Sequence, residues 1–248
     1  MNPNPVEFRS GVISPMECLK EGWEMIKDQY WLFLGITFVA MLVGSAFAIV
    51  LMGPMMCGIF LCFLQRMRGE RVALDGLFKG FDYFGQSVIA TLIQAIPSVL
   101  IIVPSYVIMI VATFVGSSSG STREREEAMA FMVTMGMAAM FLAVILLSII
   151  LGMFFMFTFP LIVDRNLSGV DAIKTSMRAC RANMKGVVGL VLLNTLLHFG
   201  GLLLCCVGSY FMLPVTFAAQ AIAYRRVFPA IPAQILSSPP PPPGSWAA

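Results

Sequence analysis

Four long stretches of this chain contain no Asp, Glu, Lys or Arg. They run from Trp31 to Gln65, Tyr83 to Thr122, Ala128 to Val163 and Gly186 to Tyr224. Each exceeds the ~20 apolar residues that cross a bilayer as a helix. Only 12% of the 248 residues are charged, whereas about a quarter are charged in soluble domains. The sequence therefore predicts an all-α integral membrane protein in which all four stretches enter the membrane.

The distribution of Lys and Arg predicts how often the chain crosses. If each stretch crossed once, the basic residues would divide almost evenly between the two sides. If the first and last stretches are hairpins, fourteen basic residues lie on one side and two on the other. Cytoplasmic segments carry such an excess. We therefore expect six transmembrane helices, as three hairpins, with both termini in the cytoplasm.

Glycines beside small residues place the two hairpin turns at "VGSA", Val43 to Ala46, and "CCVGS", Cys205 to Ser209. An eight-helix alternative folds the two middle stretches as well and keeps the same charge bias. We rank it second, because "GSSSGSTREREE", Gly116 to Glu127, is composed like an external polar loop.

One short phrase occurs three times, as "ECLKEGW" (17–23), "DGLFKGF" (75–81) and "DAIKTSM" (171–177). Each reads acid, any residue, aliphatic, two more, small, large apolar. Apolar residues continue at steps of three or four, so each phrase predicts one apolar stripe along an amphipathic helix at the cytoplasmic face. Ser14 with Glu17, and Ser168 with Asp171, have the spacing of capping boxes, and Pro15 suits the first helical position.

The second helix of each predicted hairpin contains a proline: Pro54, Pro160 and Pro214. We therefore interpret residues 14–228 as one membrane domain of three repeat units, about 14–72, 73–167 and 168–228, of which the middle one matches least well. Residues 1–13 form a flexible N-terminus without a cleavable signal peptide, and 229–248 form a disordered proline-rich tail.

Residues 53–81, 159–190 and 207–228 resemble a broad group of uncharacterised bacterial integral membrane proteins. One branch forms the membrane domain fused to glycerophosphodiester phosphodiesterases. The resemblance implies a six-helix inner-membrane protein without an assigned activity. Since we find no phosphodiesterase domain in this sequence, that activity is not expected here.

Polar chemistry inside the stretches is sparse. Ionisable groups at membrane depth are usually functional, and here only His198 occurs. His198, Asn194 and Gln94 are candidates for a polar intramembrane site, although hydrogen bonding between helices explains them as well. We expect no catalytic, metal or cofactor-binding residue and no cofactor, and interpret the six cysteines as packing residues.

Two features point to partners. Lys174, Arg178, Arg181 and Lys185 follow helical steps beside the apolar stripe, which predicts contact with anionic lipids. The tail "SSPPPPPGSWAA" (237–248) could dock on a protein partner as a polyproline segment. No feature indicates nucleic-acid binding.

The leading hypothesis is a non-enzymatic structural or accessory protein. One rival is a transporter or lipid-handling protein that uses a cavity between the hairpins. Another is an enzyme subunit whose active site lies on a different chain.

Overall fold

The computed structural model describes residues 7–46, 48–118, 123–203 and 208–230. Within these ranges the chain forms helices and no β-strand. Its α-helices are α1 Pro15–Ile26, α2 Tyr30–Ala46, α3 Ala48–Met67, α4 Phe84–Ser118, α5 Arg123–Phe155, α6 Thr158–Arg165, α7 Gly169–Ala182, α8 Met184–Leu203 and α9 Gly208–Val227. One 3₁₀ helix, Lys27–Gln29, joins α1 to α2, and another, Leu74–Tyr83, leads into α4.

Five segments of the described residues are long and apolar enough to cross a membrane. They are Pro15–Ala46, Val50–Met67, Leu74–Val111, Ala130–Arg165 and Met184–Leu203. The chain therefore has the character of a multi-pass membrane protein, as the uncharged stretches predicted.

Helix α9 is not one of these five segments, and its surroundings explain why. Almost every residue from Pro214 to Tyr224 is buried inside the protein. A helix enclosed by protein need not be as apolar as one that faces lipid, so α9 accommodates Thr216 and Gln220.

Three short helices precede the long ones, and each packs away from the hairpin that it leads into. α1 leads into α2 but packs along α9. The 3₁₀ helix Leu74–Tyr83 leads into α4 but packs along α3, and α7 leads into α8 but packs on α4, α5 and α6. The contact between α1 and α9 joins the two ends of the membrane domain.

The small residue of the repeated phrase lies at each of these contacts. A Cβ atom on Gly22 would stand 2.8 Å from the backbone nitrogen of Ala219, and one on Gly80 would collide with the carbonyl oxygen of Pro54. At the third contact, the hydroxyl of Ser176 reaches the backbone of α5. Small side chains are needed there because two helix backbones approach closely.

The large apolar residues in and directly after the phrase do not form one buried stripe. Ile26 and Leu77 are fully buried, but Trp23 and Phe81 are 44% and 36% exposed. The prediction of a single stripe was therefore incomplete. The small residues face the neighbouring helix, so the bulky ones beside them are divided between the protein and its surroundings.

The predicted helix starts had different outcomes. Ser168 caps α7 as expected, since its Oγ accepts a hydrogen bond from the Asp171 amide at 3.2 Å. Ser14 makes no such bond, although Pro15 does occupy the first turn of α1. The second amphipathic segment is 3₁₀ rather than α-helical, because Gly76 and Gly80 lower its α-helical propensity.

Each of the two middle stretches consists mainly of one long helix, and the second is interrupted only at residues 156–157. α4 has 35 residues and continues through Pro97 and Pro104, while α5 has 33 residues. The described residues thus contain no turn of the kind that the eight-helix alternative needs. The charge run 123–127 begins α5, so its prediction as a loop was wrong. Acidic residues in a first turn are favoured by the helix dipole.

The two hairpin turns that the glycines predict border residues outside the described ranges, residue 47 and residues 204–207, so they stay predictions. α2 ends at Ala46 and α3 begins at Ala48, while α8 ends at Leu203 and α9 begins at Gly208. Of the second predicted turn, Cys205 to Val207 lie outside the described residues, as do residues 231–248 of the proline-rich tail.

Aromatic side chains fill the centre of the bundle. Phe33 stacks on Phe63 with ring centroids 4.7 Å apart, and Phe60 meets Phe217 edge-on at 5.9 Å. Further along, Phe228 contacts Phe157 and Tyr224. By contrast, most large apolar side chains in residues 99–114 of α4 and 131–150 of α5 are exposed. Such apolar surface suits contact with lipid.

Candidate functional site

Asp164, near the end of α6, contacts several charged side chains at one end of the bundle. Its side chain is only 6% exposed. Arg225 donates to both carboxylate oxygens, at 2.7 and 2.9 Å. Arg68 and the Tyr224 hydroxyl also donate, at 3.1 and 2.8 Å, and Arg165 lies 3.5 Å away. The carboxylate therefore connects the ends of α3, α6 and α9.

These bonds determine what Asp164 can do chemically. Both oxygens already accept hydrogen bonds from within the chain, so neither is directed at an empty space that a reacting group could enter. Arg225 and Arg165 are largely buried, with side chains 14% and 16% exposed, and need a negative charge nearby. The arrangement is that of a structural ion cluster.

A second group of polar side chains surrounds the break between α5 and α6. Because Pro160 has no N–H, the carbonyl of Met156 four residues earlier loses its helical donor. Gln220 of α9 donates to that carbonyl instead, at 3.0 Å. Gln220 therefore replaces the backbone donor that the proline removes.

Helix α7 supplies further hydrogen-bond partners for the backbone at this break. The Ser176 hydroxyl donates to the Phe154 carbonyl at 2.7 Å and accepts from the Phe157 amide at 3.1 Å. The Cys180 thiol donates to the Met153 carbonyl at 3.0 Å. Burial raises the pKa of Cys180 to about 12, so the thiol stays protonated and able to donate. Unpaired backbone groups are costly away from water, and these side chains remove that cost.

Of the three candidate intramembrane residues, His198 and Asn194 lie together on α8, and Gln94 lies apart on α4. His198 lines a cavity of about 440 Å³ between α2, α3, α8 and α9, and its Nε2 lies 3.4 Å from the Thr216 hydroxyl. Asn194 lies one turn earlier on α8, and its side-chain oxygen is buried without a hydrogen-bond partner. Gln94 belongs to α4 and does not line this cavity.

Polar residues near Gln94 have a packing role. The Ser87 and Thr91 hydroxyls donate to backbone carbonyls of their own helix. Their surface lies so close to Gly53 of α3 that a Cβ there would be 2.7 Å from the Thr91 hydroxyl. These two hydroxyl groups therefore lie at the contact between α3 and α4.

The four candidate lipid-contact residues lie on one exposed corner of the protein. Lys174, Arg178 and Arg181 project from α7, and Lys185 from the start of α8. No carboxylate among the described residues pairs with any of the four. They differ in this from Arg226, which donates to Glu17 and Glu21 at 2.8 and 2.7 Å.

Sequence reasoning missed Asn183, which ties the N-terminal segment to the rest of the protein. This side chain is 2% exposed. Its amide nitrogen donates to the Arg9 carbonyl at 2.9 Å, and its oxygen accepts from the Val12 amide at 3.3 Å. The segment is held further by a bond from the Arg9 amide to the Val227 carbonyl at 2.9 Å. An asparagine between two helices gives no local sign of such distant partners.

The described residues contain no group of three His, Cys, Asp or Glu side chains placed to hold a metal ion. The main clusters are therefore the Asp164 ion cluster, the helix break, the His198 cavity and the basic corner. Comparison with protein families, with characterised proteins and with solved structures finds no match to this chain.

Proposed function

We propose that this protein is a non-enzymatic scaffold of the bacterial inner membrane, built from six transmembrane helices in three hairpins with both termini in the cytoplasm. In this proposal α2 pairs with α3, α4 with α5 and α6, and α8 with α9. The five apolar segments supply five crossings, and the protein-enclosed α9 supplies the sixth. This six-helix arrangement agrees with what the resemblance to uncharacterised six-helix membrane proteins implies.

The three hairpins with their short helices are proposed to be repeat units that interlock in a ring. Support comes from the packing of each short helix on the hairpin of another unit, including α1 of the first unit on α9 of the last. The small residues Gly22, Gly80 and Ser176 lie at corresponding places in these contacts. A ring of this kind holds its parts together without a bound ligand.

The observation that carries the scaffold proposal is the state of the broken helix α5–α6. In many transporters the free backbone groups at such breaks bind the substrate or ion. Here the side chains of Ser176, Cys180 and Gln220 bind the backbone groups of residues 153–157. The aromatic core fills the space beside them, so this break is suited to rigidity.

Lipid handling is the second candidate, and the His198 cavity favours it. The cavity brings Ser45, Ser209 and His198 beside apolar side chains, and the unpaired oxygen of Asn194 lies one turn away. A polar headgroup could interact with these residues while its chains remain in the membrane.

A lipid-scrambling assay separates the two functions. The protein is reconstituted in liposomes that contain a fluorescent lipid in both leaflets, and a reductant that cannot cross the membrane is added outside. A scaffold leaves the inner-leaflet probe protected. A lipid-handling protein exposes it, and His198→Leu with Asn194→Leu should then restore protection.

Thr195→Leu is the matched control, because Thr195 lies on the exposed side of the same helix. Scrambling by the unaltered chain and by Thr195→Leu, but not by the double variant, would replace the scaffold proposal with the lipid-handling one.

A further inference from the structure

A pocket of about 400 Å³ lies at the corner where α7 ends and α8 begins. Its lining includes Gly11 and Ile13 of the N-terminal segment, and Arg181, Asn183, Lys185 and Gly186 of the corner. Of the four basic residues predicted to contact lipid, only Arg181 and Lys185 line it. Lys174 and Arg178 lie further back along α7.

Fixed contacts form the walls of this pocket. The bonds from Asn183 to Arg9 and Val12 hold the N-terminal segment against the corner. The segment passes so close to α8 that a Cβ on Gly186 would stand 2.7 Å from the Ile13 carbonyl oxygen. The pocket is thus present before any ligand binds, which lowers the entropic cost of binding.

The pocket is also positively charged. Arg181 and Lys185 both line it, and the Arg181 guanidinium also lies over the Phe154 ring, 5.8 Å from its centroid. Neither Arg181 nor Lys185 pairs with a carboxylate in the described part of the chain, in contrast to Arg225 and Arg226. Two cations beside one cavity are a suitable environment for a phosphate group.

The position of the pocket along α8 indicates where that phosphate would come from. The uncharged stretch of α8 begins at Gly186, directly after Lys185. Lysine and arginine at such a boundary reach toward lipid headgroups. The pocket therefore lies at the depth of the headgroup phosphates of the adjoining leaflet.

We propose that Arg181 and Lys185 form a binding site for the headgroup phosphate of an anionic phospholipid, bounded by the N-terminal segment that Asn183 holds in place. This site goes beyond the scaffold function and does not depend on it. It also distinguishes two of the four basic residues from the other two, which provide only general surface charge.

The test compares two variants that lose the same charge from the same corner. Arg181→Gln with Lys185→Gln alters the pocket, and Lys174→Gln with Arg178→Gln does not. Binding of phosphatidylglycerol to the purified full-length chain is measured by native mass spectrometry in a neutral detergent, with phosphatidylcholine as the uncharged comparison. We expect the pocket variant to lose affinity for phosphatidylglycerol by roughly 25-fold, about five-fold for each cation. The other variant should bind nearly as tightly as the unaltered chain.

Further arms make the outcome decisive. Equal losses in the two double variants would mean diffuse attraction and would overturn the site, as would equal binding of phosphatidylcholine and phosphatidylglycerol. Full competition by inorganic phosphate or glycerol phosphate would assign the pocket to a soluble phosphate instead of a lipid. If the double pocket variant fails to fold, Lys185→Gln and Lys174→Gln alone provide the same comparison, with about a five-fold difference expected.

Discussion

Asp164 shows how one residue can depend on partners from three parts of the chain. In the sequence "PLIVDRN" it is an acid at the end of an apolar run, where a charge marks the exit of a helix from the membrane. The structure adds Arg68, Arg225 and Tyr224 as hydrogen-bond donors to the same carboxylate. We therefore expect the charge of Asp164 to stabilise the fold, and not only to fix where α6 leaves the membrane.

Replacing Asp164 with Asn tests this requirement. The substitution keeps the shape of the side chain but leaves Arg225 and Arg165 largely buried without a negative charge. We expect the free energy of unfolding, measured by denaturant titration in mild detergent, to fall by about 3–5 kcal/mol.

Glu70→Gln is the matched control, since Glu70 also pairs with Arg68 but with both side chains about half exposed. Its loss should stay below about 1 kcal/mol. Similar losses from the two substitutions would show that the buried ion cluster has no special importance.

The break between α5 and α6 shows how one helix depends on its neighbours. Pro160 removes a backbone donor, which an isolated helix could replace only with water. Inside the bundle the replacement is the Gln220 amide on α9. The proline and the glutamine therefore form a functional pair, although 60 positions separate them in the sequence.

A double-mutant cycle tests this pair. Gln220→Leu alone should lower the free energy of unfolding by about 0.6–1.7 kcal/mol, because the Met156 carbonyl loses its donor. In a Pro160→Ala background the restored N–H can bond to that carbonyl, so the same substitution should cost much less. Unfolding in detergent, followed by circular dichroism, measures both costs. Equal costs in the two backgrounds would show that Gln220 does not compensate for the proline.

The whole molecule is held together by contacts between its two ends. α1 lies along α9, and Arg226 donates to Glu17 across 209 positions of sequence. The N-terminal segment also bonds to Asn183 and Val227. If both termini lie on the same side of the membrane, as we propose, this closure needs no further crossing.

Labelling with a maleimide that does not cross membranes tests this topology. Single cysteines replace Ser10 and Ala128, which are both exposed. Cys205 and Cys206 are changed to Ala, and the buried cysteines Cys18, Cys57, Cys62 and Cys180 are kept. In intact cells we expect Ala128→Cys to react and Ser10→Cys to react only after the membrane is opened.

The parent chain without an added cysteine gives the background. Labelling of Ser10→Cys from outside would reject both the six-helix and eight-helix topologies. Protection of Ala128→Cys would favour eight helices.

The sequence by itself determined the helical, membrane-entering character of the chain and the capped start of α7. Long uncharged runs and the Ser168 cap are local signals, and local energetics decide them. The repeated phrase likewise located the three short helices before their partners were known.

Only the tertiary structure decided what those short helices contact. The small residue of the phrase was visible in the sequence, but the backbone that passes it, such as Ala219 beside Gly22, comes from a distant segment. The same is true of the donors to Asp164, the replacement donor at Met156 and the bonds of Asn183. A buried polar group must find a partner wherever the folded chain supplies one, and sequence spacing carries no record of that choice.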